Sequence, residues 1–183
     1  TQDISSSATK TLAAYQANLT LTGTSVINGT GNERDNIITG NTAANTLTGN
    51  GGNDTLIGGG GNDTLIGGAS VNEDLIGGDG DDILIGGKNE TSSVKLQGDG
   101  GNDTLISQSL KATTSYYGGD GQDVAYMPGS MKALKLVTTG LPNSCDYRLV
   151  YTDPVTGAVT NHDFYSVETL YLQDGKYEFE GGQ

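Results

Sequence analysis

The chain has 183 residues, 30 of them glycine, and sets 22 Asp and Glu against 9 Lys and Arg, for a formal charge of −13. That acidity excludes a nucleic-acid or anionic-membrane binder, which needs Lys and Arg on phosphates; glycine at about twice its usual share, with apolar residues scarce, excludes an ordinary thick-cored globule. No apolar run approaches the roughly 18 residues of a membrane span, Thr1 opens neither a basic nor an apolar leader, and a lone cysteine, Cys145, and a lone histidine, His162, leave little for disulfides, zinc or Ser-His and Cys-His catalysis.

The chain reads as a soluble piece of a longer polypeptide in three parts. Residues 1–30 are expected to form an N-terminal cap that leads into a periodic array. Residues 31–126 hold that array. Residues 127–183 change character: 24 of the 30 glycines lie at or before Asp123, whereas eight of the 11 aromatics lie at or after Tyr126.

Within the array, glycine recurs every nine residues at Gly31, Gly40, Gly49, Gly58 and Gly67, and the frame resumes at Gly77, Gly86, Gly98 and Gly118 after short insertions. Self-similarity at a fixed period means stacked units. Gly58-Gly-Gly-Gly-Asn-Asp-Thr-Leu-Ile66 and Gly98-Asp-Gly-Gly-Asn-Asp-Thr-Leu-Ile106 are clear copies. The sixth positions carry Asp54, Asp63, Asp82, Asp103 and Asp123, with Asn36 and Asn45 in weaker early copies. The eighth positions read Ile38, Leu47, Leu56, Leu65, Leu75, Leu84, Leu96, Leu105 and then Ala125. Each unit is a polar turn followed by a three-residue strand whose middle side chain points inward. Two units make one coil of about 18 residues, so the fold predicted is all-β: a parallel β-roll with two short sheets around a core one side chain thick.

This pattern resembles the nonapeptide repeat of RTX, or haemolysin-type, calcium-binding β-rolls, and the resemblance implies that the roll is right-handed. Asn18 to Asn32 is similar to lead-in segments of such rolls, and Val167 to Gly175 to hairpins that close them. The resemblance implies Ca2+ ions, about three to five, each held between turns one coil apart by two sixth-position carboxylates and by carbonyls of the first four turn positions. Those carbonyl positions are Gly58, Gly59, Gly60 and Gly61; Gly77, Gly78, Asp79 and Gly80; Gly98, Asp99, Gly100 and Gly101; and Gly118, Gly119, Asp120 and Gly121.

Sorting turns by edge sharpens the expectation. One edge holds the turns that start at Gly40, Gly58, Gly77, Gly98 and Gly118. The other collects every insertion, at 67–73, 86–94 and 107–115. Ions are expected at Asp63/Asp82, Asp82/Asp103 and Asp103/Asp123, with weaker sites at Asn45/Asp63 and Asn36/Asp54. The metal-free roll is expected to be disordered, because its core is thin and its acidic turns repel one another.

From residue 127 the glycine period gives way to alternation, as in Tyr147, Leu149 and Tyr151, with hairpin signals at Asp153-Pro-Val-Thr-Gly157 and Asp174-Gly175. A small antiparallel β cap over the open end of the roll is expected. His162 is expected on a surface turn and Cys145 as an incidental thiol. By resemblance, the chain is a non-enzymatic calcium-folded module of a secreted or surface bacterial protein such as an adhesin or toxin. Its partners would be the rest of a larger polypeptide and type I secretion machinery. Alternatives are a carbohydrate- or surface-binding module and the tail of a secreted protease, lipase or epimerase.

Overall fold

The computed structural model describes residues 2–68, 72–88, 93–137 and 147–178. Cys145 and Phe179 lie outside them. Through Tyr126 the strands are β1 (Gln2–Ser6), β2 (Lys10–Thr11), β3 (Gln16–Leu21), β4 (Gly29–Thr30), β5 (Ile37–Thr39), β6 (Thr46–Asn50), β7 (Asp54–Gly60), β8 (Thr64–Gly68), β9 (Asn72–Asp79), β10 (Ile83–Ile85), β11 (Ser93–Gly100), β12 (Thr104–Ile106), β13 (Thr113–Asp120) and β14 (Val124–Tyr126). Odd-numbered strands lie side by side in one sheet and even-numbered strands in the other, so the chain changes sheet at every turn. Pairing is parallel throughout this stack. Partners are separated by 18 residues from Ile37 to Thr55, by 19 from Asp54 to Glu73 and by 21 from Asn72 to Ser93. The insertions therefore lengthen coils without shifting register.

The central strands of the stack each contribute one side chain to a continuous inner row. In the odd sheet Leu19, Ile38, Leu56, Leu75, Leu96 and Tyr116 stand in one register row; in the even sheet Leu47, Leu65, Leu84, Leu105 and Ala125 form the other. All are at most 1% exposed, and each buried leucine contributes about 1.5–3 kcal/mol. The coil that carries the large Tyr116 in one sheet carries the small Ala125 in the other, which keeps the core volume even.

The parallel stack runs one coil past Tyr126. After β15 (Leu134–Val137) and β16 (Tyr147–Thr152), β17 (Val159–Tyr165) pairs parallel with β13, and β18 (Thr169–Leu172) pairs parallel with β14. Phe164 joins the inner row, stacked 4.5 Å from Tyr116 and 4.6 Å from Tyr147. The antiparallel cap is then one addition to each sheet: β16 and β15 beside β17, and β19 (Gly175–Glu178) beside β18. No α-helix occurs among the described residues. No described helix is long and apolar enough to cross a membrane.

His162 is not on a surface turn. The parallel register sets it beside Thr114 on the inward side of β17, where it is fully buried and its Nε2 lies 3.1 Å from the Leu110 carbonyl oxygen. Burial pushes its pKa down to about 4, so it is neutral at pH 7.

Candidate metal centre

The sixth-position residue of each turn sits where the turn enters the next strand, and on one edge these residues form a continuous ladder. The backbone N–H of Asn45 donates to Asp63 Oδ1 at 2.6 Å, that of Asp63 to Asp82 Oδ1 at 2.7 Å, that of Asp82 to Asp103 Oδ1 at 2.9 Å and that of Asp103 to Asp123 Oδ1 at 2.8 Å. One oxygen of each carboxylate is thereby used inside the protein. The other, Oδ2 of Asp54, Asp63, Asp82, Asp103 and Asp123, is buried with no hydrogen-bond partner. All five residues are at most 2% exposed. A buried, unpartnered carboxylate oxygen is costly unless a cation compensates it.

The surroundings of those oxygens fit a hard cation. A β-carbon placed on Gly58 would fall within 3.0 Å of both Asp63 Oδ2 and the Gly77 carbonyl oxygen. The same holds at Gly77 for Asp82 Oδ2 and the Gly98 carbonyl, and at Gly98 for Asp103 Oδ2 and the Gly118 carbonyl. Oxygens that converge so closely from adjacent coils can share one ion, since calcium–oxygen distances run about 2.3–2.6 Å. The same crowding leaves no room for any side chain at the first turn position. Among the described residues no three Asp, Glu, His or Cys side chains converge on one point, so backbone carbonyls would supply most of the ligands.

Turn conformation separates two classes. In the turns starting at Gly49, Gly58, Gly77, Gly98 and Gly118, the second and fourth residues have positive φ, the fourth always glycine (Gly52, Gly61, Gly80, Gly101, Gly121) and the second including Asn50 and Asp99. Glycine adopts these left-handed values without strain, and Asn and Asp are among the few other residues that tolerate them. The turns starting at Gly31 and Gly40 lack it, and their asparagines are satisfied internally. Asn45 Oδ1 accepts the Asn41 N–H at 2.8 Å while its Nδ2 donates to the Ile27 carbonyl at 2.6 Å; Asn36 does the same with Asn32 and Ala17.

Burial also sets the protonation chemistry. Desolvation, partly offset by the hydrogen bond each accepts from a backbone N–H, pushes Asp63, Asp82, Asp103 and Asp123 up to about 6 and Asp54 up to about 7. Glu73, beside Asp54 in register, adds repulsion there.

Three features escape the nine-residue frame. Glu73 occupies the sixth position of the coil after Asp54, buried and packed over Gly67 as the aspartates pack over their glycines. Beyond it, the second edge loses its acids: Val94, Thr114 and His162 follow Glu73 in register. Finally, fifth-position side chains stitch neighbouring turns, with Asn62 Oδ1 accepting the Asp81 N–H at 3.2 Å, Asp81 Oδ1 the Asn102 N–H at 2.8 Å and Asn102 Oδ1 the Gln122 N–H at 3.0 Å. An amide or acid at the fifth position of successive copies was the available signal.

A family model described as the RTX calcium-binding nonapeptide repeat matches four copies in this chain, at residues 30–65, 67–89 and 94–108. No curated protein and no solved structure matches the chain.

Proposed function

Because residues 30–108 are RTX calcium-binding nonapeptide repeats stacked as parallel coils, we propose that the chain is a non-enzymatic module that folds when it meets calcium outside the cell. It then acts as folding switch and spacer in a larger secreted or surface bacterial protein. The observation that carries this reading is the row of buried carboxylate oxygens without partners, each beside a carbonyl of the adjacent coil. Asp63/Asp82, Asp82/Asp103 and Asp103/Asp123 hold the strong sites. Asn45/Asp63 and Asn36/Asp54 are weaker, having one carboxylate fewer and an asparagine already hydrogen-bonded. Calcium supplies the positive charge that the ladder lacks; the chain's own residues supply the cradle and fix its spacing. Export through type I machinery fits a chain that stays unfolded until calcium is abundant.

The outward tyrosines do not favour a glycan platform. Tyr117 stacks on Tyr165 at 4.3 Å and Tyr126 on Tyr171 at 4.8 Å, which consumes ring faces that a sugar would use.

A switch operated by the change of compartment must have its midpoint between cytosolic and external calcium. Titration of the metal-free chain, followed by hydrodynamic radius, is expected to show cooperative compaction at about 10⁻⁴–10⁻³ M calcium, the range of extracellular modules. A midpoint at or below about 10⁻⁷ M would make the roll permanently folded and end the switch reading.

A further inference from the structure

The ladder of sixth-position residues does not stop at Asp123. The Asp123 N–H donates to Glu168 Oε2 at 2.7 Å, and the Thr169 N–H donates back to the Asp123 carbonyl at 3.1 Å. The preceding rung has the same two bonds, from the Asp103 N–H to Asp123 Oδ1 at 2.8 Å and from the Val124 N–H to the Asp103 carbonyl at 2.9 Å. Glu168 thus stands in the sixth position of the coil added by β18, 45 residues beyond Asp123 in sequence. It lies outside the matched repeats, which end at residue 108.

Asp123 is fully buried and its Oδ2 has no partner. A β-carbon on Gly118 would fall within 3.0 Å of both that oxygen and the Ser166 carbonyl oxygen, the arrangement that Gly58, Gly77 and Gly98 show with the next coil's glycine. Ser166 has φ +50°, a left-handed value at a non-glycine residue on the turn that leads to Glu168. Asp123 and Glu168 are both among the residues that line an open cavity of about 590 Å³ at this edge. The ammonium group on that cavity, Lys176, is paired with Glu178.

We propose that a further calcium site lies between Asp123 and Glu168, with the Ser166 carbonyl as a ligand. This ion would clasp the C-terminal cap to the last turn of the repeats. The inference rests on the proposed calcium ladder. One ion would close a connection of some 45 residues and couple the order of the cap to that of the roll.

Native mass spectrometry of the calcium-loaded chain counts the ions. Glu168→Gln keeps an oxygen for the Asp123 N–H, so the fold should survive with one ion fewer than wild type; Glu178→Gln, on the same cavity, should lose none. Asp123→Asn should lose two ions, because Asp123 would serve two sites. An unchanged count in Glu168→Gln, or the loss of a single ion in Asp123→Asn, overturns the proposal. A wild-type chain that binds no calcium overturns the ladder itself, a different result. If Glu168→Gln does not fold, the Asp123→Asn count alone decides.

Discussion

Chelation of calcium at pH 7 is expected to abolish most of the β-sheet circular dichroism of this chain, and millimolar calcium should restore it. The core is one side chain thick: two rows of buried leucines and their replacements, closed by turns that are largely polar. Those rows must offset roughly 1–2 kcal/mol of backbone entropy for every ordered residue. Against them, five carboxylates are buried with an unpartnered oxygen each. Each bound ion removes that penalty and adds about 2.7 kcal/mol when calcium is 100-fold above its dissociation constant.

Acid should partly replace the metal. The folded-state pKa values of Asp63, Asp82, Asp103 and Asp123 stand at about 6 and that of Asp54 at about 7, above the value near 4 of an unfolded aspartate. Their contribution to the metal-free fold is therefore complete below about pH 4 and is lost as pH rises through about 6–7. His162 works the other way: with its pKa lowered to about 4, its contribution is present above about pH 6.5 and lost as pH falls through 4. Five groups oppose one, so the chelated chain should gain sheet signal between pH 7 and about pH 5. Sheet content that is equal with and without calcium at pH 7 would remove the basis of a metal-dependent fold.

The second large effect is expected at Asp82, which belongs to two adjacent sites. Asp82→Ala removes a ligand from both, and it leaves the buried Asp63 N–H, now bonded at 2.7 Å, without an acceptor. The lost hydrogen bond alone costs about 1–3 kcal/mol, and two ions, each at that 100-fold excess, add about 5 kcal/mol. The variant should need far more calcium to fold. Asp82→Asn should behave differently. An amide oxygen can still accept the Asp63 N–H, and replacing the carboxylate by an amide removes the buried charge; Asn36 and Asn45 show that an amide fits this position with both its oxygen and its nitrogen hydrogen-bonded. It should lose two ions yet be less disordered than wild type in chelator. Calcium counting together with circular dichroism in chelator checks both halves; equal behaviour of the two variants would show that charge burial is not what the ion relieves.

The repeat region was legible because period and chemistry coincide there: glycine at the first position, an acid or amide at the sixth and leucine at the eighth announce the cradle and the core together. Legibility ended where the period broke. Tyr116, Phe164 and Leu170 are eighth-position residues, and Thr114, His162 and Glu168 their sixth-position companions. The stretch 127–158 separates the last coil from the others, and with no glycine in residues 159–172 that coil no longer looks like a repeat. What persists is the two-residue step from sixth to eighth position, His162 to Phe164 and Glu168 to Leu170, the same as Asp123 to Ala125. His162 looked like a surface residue because polar neighbours surround it in sequence; the strand's alternation, which turns Asn161 and Asp163 outward, puts it inside. Glu73 was hidden by the insertion before it, although register places it on the rung after Asp54.

The most direct measurement is a crystal structure of the calcium-loaded chain with anomalous scattering used to locate the ions. Peaks are expected in a single file along the edge that starts at Gly58, between Asp63 and Asp82, Asp82 and Asp103, and Asp103 and Asp123, with no such file beyond Glu73 on the opposite edge, where Val94, Thr114 and His162 take the acids' place. Ions spaced evenly along both edges, or no ions beside the Oδ2 atoms of Asp63, Asp82 and Asp103, would contradict it.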